Sequence, residues 1–299
     1  MAELMNPPAE QTLLLGPRQS MVGVITSAPE PVRQADAPFV VILNAGIIHR
    51  IGPNRLHVLM ARALATAGFD VLRVDLSGLG DSEPRPDSLS PLDAALADIR
   101  EVLDTLQATR QVQRVVLMGL CSGADHSVIY AGSDPRVAGV VLLDPSIPRT
   151  RRYYVQHYAN RLLQMRPWLN LATGRHPLWR MFRHRNCQPV EAQLEPAPGE
   201  PPLTLEHPEV RAFLQNAYGR AVAQGVRLLA VMTADRERQH NYRRQLFDAF
   251  PQVPFGAQLR LEYFRHCDHT FTTRTNQQRL MGLVLEWMKT GWGGSVDRA

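Results

Sequence analysis

Six short apolar runs constrain this chain more than any other feature. They are FVVILN (39–44), FDVLRVD (69–75), RVVLMG (114–119), VAGVVLLD (137–144), VRLLAVMT (226–233) and LRLEYF (259–264). Most are apolar throughout rather than alternating, which is the pattern of strands covered on both faces of a parallel sheet. Helical stretches fall between or after them, at 54–67, 90–108, 122–132, 239–250 and 275–289. The first stops at Gly68, and the second opens on Ser90-Pro91, a capping residue followed by a proline in the first turn. Strands alternating with crossover helices predict an α/β fold with a mostly parallel, doubly wound sheet. Two further runs near the start, TLLLG and MVGVIT, fit an antiparallel hairpin at one edge.

The rhythm breaks once. Residues 145–225 offer no clear strand, so they are expected to form a helical cap inserted into a core made of 12–144 and 226–290. The first part of the insertion, 145–190, carries nine arginines and neither Asp nor Glu, whereas 191–209 carries five glutamates and several prolines. The second part reads as an extended loop or hinge.

Composition removes several classes. A chain of 299 residues with 44% hydrophobic and 20% charged residues is globular rather than disordered. No apolar run approaches the roughly 18 residues of a spanning helix. The first residues lack a secretory pattern, and a cytoplasmic protein is expected. Net charge is +5 and Lys289 is the sole lysine. An arginine bias of this kind does not by itself imply nucleic acid, and none is expected as a partner. Three scattered cysteines, Cys121, Cys187 and Cys267, without a CxxC pair fit neither a disulfide framework nor a zinc ribbon.

The chemistry centres on RVVLMGLCSGA, which reads strand, sharp turn, helix. A nucleophile elbow needs small residues two before and two after the nucleophile, so that strand and helix can approach. Counting from Cys121, both positions are glycine, Gly119 and Gly123; counting from Ser122, they are Leu120 and Ala124. Cys121 is therefore the expected nucleophile and Ser122 the rival. A thiol at a helix N-terminus beside a histidine is readily ionised. Ser122 would then lend its backbone N–H to an oxyanion hole.

A triad requires an acid and then a histidine further along the chain. Asp235, just past the run ending at Thr233, is the expected acid, with Asp144 at the end of the preceding run as its competitor. His269, in Asp-His-Thr-Phe before the last helix, is preferred to His266 as the base. His126 falls on the helix after the elbow and is expected to pack there. The crowded HCDH stretch, 266–269, is not read as a metal site, since two His, a Cys and an Asp so close in sequence rarely face one ion. The turn Asn44-Ala45-Gly46 after the first central run can supply a second oxyanion donor, with Gly46 preferred. Ala45, Ile47 and Leu120 are expected to contact substrate.

The motifs LNAGIIHRIGPNR, RVDLSGLGDSE, GLCSGA and RRYYVQHYANRLL…WLNLATGR carry a resemblance. From about residue 12 to 290 the chain resembles an α/β-hydrolase. Within that superfamily it is similar to the hydrolases associated with exosortase systems. The resemblance implies an α/β-hydrolase fold and a cysteine-centred hydrolase or acyltransferase, with Asn44-Ala45 where the superfamily has His-Gly. It also implies that Asp75, in the loop after the second central run, is structural. The expected activity is hydrolysis of an ester or thioester through a Cys121–His269–Asp235 triad, without a cofactor. Passage of the acyl group to an alcohol or amine, or a hydrolase-like binding protein without chemistry, are the alternatives. The expected partner is a small-molecule acyl ester or thioester. The arginine-rich stretch reads first as a solvated basic face, and its alternative reading is a docking surface for an acyl group borne by coenzyme A or a carrier protein. A homodimer is left open.

Overall fold

The computed structural model describes residues 8–34, 36–163, 204–234 and 239–292, with the side chains of 158–163 left aside. Eight strands form one sheet: β1 (Ala9–Leu15), β2 (Met21–Ser27), β3 (Phe39–Ile42), β4 (Val71–Val74), β5 (Val115–Leu120), β6 (Val137–Leu143), β7 (Arg227–Thr233) and β8 (Leu259–Phe264). Their order across the sheet is β1-β2-β4-β3-β5-β6-β7-β8. The first hairpin is antiparallel, β2 meets β4 antiparallel, and every later pairing is parallel. The expected edge hairpin and doubly wound sheet are thus present, in the α/β-hydrolase fold that the motifs imply.

Helices α1 (Leu56–Thr66), α2 (Pro91–Arg110), α3 (Ser122–Ala131), α4 (Arg151–Leu163), α5 (Pro208–Ala223), α6 (Gln245–Ala249) and α7 (Arg274–Trp292) complete the described residues. Successive residues of each central strand face opposite sides. Val115 and Leu117 enter a core shared with α2, α3, α5 and α6, whereas Val116, Met118 and Leu120 enter one shared with α1 and α7. Alternation into two apolar layers is why these strands read as continuous runs rather than an every-other-residue pattern.

Two elements differ from expectation. The helix expected over 239–250 is confined to Gln245–Ala249. Ahead of it the buried Gln245 side chain holds an irregular turn, donating to the carbonyls of Gln239 and Pro148 and accepting from the Asn241 amide. Helix α5 falls inside the segment read as a cap, yet Leu214, Ala217, Tyr218, Ala221 and Val222 are buried in the main core. It packs against α3 as part of the body. The rest of the expected cap, 164–203, lies outside the described residues.

Candidate active site

The elbow forms where β5 ends. Cys121 has φ 57 and ψ −121, while Ser122 already opens α3. Positive φ at a residue bearing a side chain stores roughly 1–3 kcal/mol and persists only where the surroundings enforce it. Backbone hydrogen bonds do so here. The Cys121 N–H donates to the Leu143 carbonyl at 2.9 Å, and the Cys121 carbonyl accepts from the amides of Ala124 and Asp125. Close packing does the rest. A Cβ on Gly119 would lie 2.1 Å from the Gly123 carbonyl carbon, and one on Gly123 would lie 2.3 Å from the Asn44 oxygen. These two glycines let strand, helix and the β3 loop meet at one point, in the register that places Cys121 in the strained position.

His269 comes from the loop between β8 and α7. Its turn is built on Asp268, whose carboxylate accepts from the backbone and hydroxyl of both Thr270 and Thr272. Burial pushes the Asp268 carboxyl up, but these threonine hydrogen bonds outweigh it and hold the group at about 2. Asp268 and Cys267, which bonds to the Asp268 carbonyl, are therefore turn-forming residues. His266 is exposed, and its carbonyl caps against Asn276. Nothing in HCDH converges as a metal site.

The carboxylate that holds His269 is Asp144. Its Oδ2 stands 2.8 Å from His269 Nδ1. Asp235, the acid preferred from sequence, lies outside the described residues. Asp144 is fully buried at the end of β6, with φ 46, and its amide donates to Val231 on β7. Thr233 clamps it from β7, donating its amide to Oδ1 and its hydroxyl to Oδ2, each at 2.6 Å. A second imidazole, the fully buried His240, brings Nε2 to 3.4 Å from Oδ1. Burial alone would raise the carboxyl; His240, His269 and Thr233 together outweigh it and keep Asp144 well below the usual carboxylate range. Two residues along, Ser146 fastens the start of the next segment to α3, donating its amide and hydroxyl to the Asp125 carboxylate at 2.8 and 2.7 Å.

The facing wall is the loop after β3. The Asn44 side chain donates to the Ile48 carbonyl and to Asp75, and its carbonyl accepts from the Leu76 amide. Buried Asp75 also accepts from the Arg50 amide at 2.6 Å and from the Arg50 guanidinium, which reaches on to Asp81. These bonds tie the loop after β4 to the loop after β3. His49, Asp75 and Asp81 bring ligand atoms within 4.8 Å of one another. The Arg50 guanidinium contacts all three, so the positive charge the two carboxylates call for is already supplied. At the tip, the Gly46 N–H donates to Ser122 Oγ at 2.9 Å. Ile47, Ile48 and Ile51 stand exposed beside it, Ile47 at 87%. Ala45 and Leu120, expected to touch substrate, are buried in the core beneath.

Burial lowers the basicity of His126 on α3, in keeping with the packing role expected of it. Of the arginines in the stretch read as a basic face, Arg149 pairs with Glu206 and lies over the Tyr153 ring, and Arg152 lies over Tyr242. Arg161 and Arg166 fall outside the described side chains. The residues that sequence reasoning missed are Thr233 and His240. A threonine at a strand end and a histidine after a polar stretch of sequence carry no local signature, because their task depends on which strand lies next door.

The family described as serine aminopeptidase, S33, matches residues 35–217. Among solved structures, the chain is similar to an α/β serine hydrolase without a lid from Xanthomonas campestris, at 17% identity over 98% of this chain and 99% of that one, with a TM-score of 0.55. An α/β serine hydrolase homologue from Coxiella burnetii aligns at 14% identity over 95% and 99%, TM-score 0.57. An esterase from Pyrococcus furiosus aligns at 13% identity over 96% and 93%, TM-score 0.57. No curated protein matches the sequence. Among the described residues no helix is long and apolar enough to cross a membrane.

Proposed function

Since the chain belongs to the S33 serine aminopeptidase family of α/β-hydrolases, we propose that it is an acyl-group hydrolase in which cysteine has taken the serine's place, with Cys121 as nucleophile, His269 as base and Asp144 as the acid that orients it. The single observation that carries this reading is the elbow. Cys121, and not Ser122, has the positive φ and the two flanking glycines without which strand and helix would collide. The similarity of its motifs to exosortase-associated hydrolases points to the same residue.

The chemistry follows from the groups in place. Asp144 accepts the Nδ1 proton of His269, which leaves Nε2 as the base. Nε2 takes the Cys121 thiol proton, and the sulfur adds to the carbonyl carbon of an ester or thioester. The oxygen of the resulting tetrahedral species gathers negative charge. The Ser122 N–H lies at the first position of α3, where a helix has no internal acceptor to offer, and it supplies one donor at the positive end of the helix. The Gly46 side of the hole completes it. Collapse expels the alcohol or thiol, which leaves with the proton held on His269. Water, deprotonated by the same imidazole, then attacks the thioester on Cys121 and releases the acid.

The substrate is a small acyl ester or thioester, and the exposed isoleucines beside Gly46 favour an apolar acyl group. The test is the intact mass of the protein after exposure to p-nitrophenyl butyrate. A covalent butyryl adduct on wild type that disappears in Cys121→Ala is expected. An adduct that survives Cys121→Ala and is lost in Ser122→Ala would reverse the assignment of the nucleophile.

A further inference from the structure

The Gly46 N–H, the second oxyanion donor in the arrangement above, is not empty-handed: it donates to Ser122 Oγ at 2.9 Å. A hydroxyl offers two acceptor sites and one proton. With one lone pair held by Gly46, the proton of Ser122 remains to be given to a third atom. Ser122 is at the start of α3, directly after Cys121, so its own N–H and O–H belong to the residue adjoining the sulfur. Gly46 itself has φ 58, and among the described residues nothing lies within 4 Å of where its side chain would stand, so these leave room at the loop tip beside the hydroxyl.

We propose that the Ser122 hydroxyl is a catalytic donor of the oxyanion hole, relaying the Gly46 N–H to the substrate oxygen. The chain of bonds runs from the Gly46 N–H to Ser122 Oγ, and from the Ser122 O–H to the carbonyl oxygen of the acyl group. A hydroxyl that accepts from an amide is a better donor, because each bond polarises the next. As charge develops on the substrate oxygen both bonds shorten, and no proton changes owner. Ser122 thus contributes twice, through its backbone and through its side chain, and the Cys-Ser pair acts as one unit: sulfur to attack, hydroxyl to receive the charge. The position of Gly46 matters because it fixes the direction of the hydroxyl rather than because it reaches the substrate.

This inference rests on Cys121 being the nucleophile, and two probes on the full-length protein separate the two ideas. Acylation by p-nitrophenyl butyrate requires both a thiolate and an oxyanion hole. Alkylation of Cys121 by iodoacetamide requires the thiolate alone. In Ser122→Ala, acylation slows on the order of 10²-fold, the usual loss for one oxyanion donor, while the rate of Cys121 alkylation stays that of wild type. Ser122→Thr, which keeps the hydroxyl, recovers most of the acylation rate. If Ser122→Ala acylates as fast as wild type or faster, the hydroxyl only satisfies Gly46 and the proposal is overturned. Equal loss of alkylation and acylation would also overturn it, since the elbow would then have been damaged instead. Failure of the Cys121 reading itself shows earlier, as a wild-type protein that is alkylated at Cys121 but never acylated there.

Discussion

Replacing Asp144 by asparagine tests the acid of the triad with little disturbance elsewhere. Asparagine, like aspartate, tolerates the positive φ of 46 at this position. The consequences can be worked from the four contacts. The Thr233 amide donates to Oδ1 at 2.6 Å and can only be met by an oxygen, so the new carbonyl must stay there. The amide NH2 then occupies the Oδ2 position, facing the Thr233 hydroxyl and His269 Nδ1. The hydroxyl can turn and accept. The imidazole cannot keep a proton on Nδ1 against another donor, so its proton moves to Nε2, the nitrogen that should receive the thiol proton. Losing a charge-assisted hydrogen bond costs about 1.5–3 kcal/mol, and a donor left facing a donor costs about 1–3 more. A total of about 2.5–6 kcal/mol corresponds to roughly 10²–10⁴ in rate. The assay is the burst of p-nitrophenolate from p-nitrophenyl butyrate, read together with iodoacetamide alkylation against pH. With its proton on Nε2 the imidazole no longer accepts the thiol proton, so alkylation at neutral pH should slow together with the burst. Asp235→Asn, made in parallel, should leave both readouts unchanged. An Asp144→Asn protein that acylates within about tenfold of wild type, a loss below about 1.4 kcal/mol, would refute the reasoning, the more so if Asp235→Asn abolishes the burst.

Two further outcomes concern stability. In Gly123→Ala the new Cβ meets backbone, the Asn44 carbonyl at 2.3 Å, so α3 must move off the β3 loop; overpacking of this kind costs about 1–3 kcal/mol, seen as a lowered midpoint in urea, and acylation should fall with it. His57 is fully buried on α1, its ring nitrogens unmet among the described residues, and burial together with the charge of Arg73 lowers it from 6.5 to about 4. Because the folded form binds its proton more weakly than the unfolded chain, this stability is complete above pH 6.5 and drains away as pH falls toward 4. The full loss is about 3 kcal/mol. Urea midpoints at pH 7 and pH 5 check this, since wild type should lose more on acidification than His57→Leu does; equal losses in the two proteins would rule it out.

The body of the fold was legible because its strands are apolar on both faces, and nothing but a two-layered parallel sheet absorbs such runs. The elbow was legible for a steric reason, as only the Cys121 register puts glycine at both crowded points. The acid was not. Asp144 and Asp235 each end a strand run, and a sequence does not say which carboxylate a histidine more than thirty residues downstream will meet. That is decided by the alignment of β6 with β7, which aims the amide and hydroxyl of Thr233 at Asp144. Helix α5 was hidden for another reason. Its apolar residues recur at helical spacing, from Leu214 and Ala217–Tyr218 to Ala221–Val222, but it follows a proline- and glutamate-rich stretch and precedes β7, so the absence of strands absorbed it into the insertion.

The bond between Ser146 and Asp125 sets a rule for anyone rebuilding this protein. Asp144 lies two residues before the point where the chain is riveted to α3, the helix whose first turn carries Cys121 and Ser122. Asp144 and the turn that carries Cys121 are thereby moored to each other. Any exchange of the following segment must keep Ser146, and with it the Pro148 carbonyl that Gln245 holds and the Thr150 hydroxyl that meets Tyr242. A junction placed even two residues earlier would cut the mooring and carry the acid away with the graft.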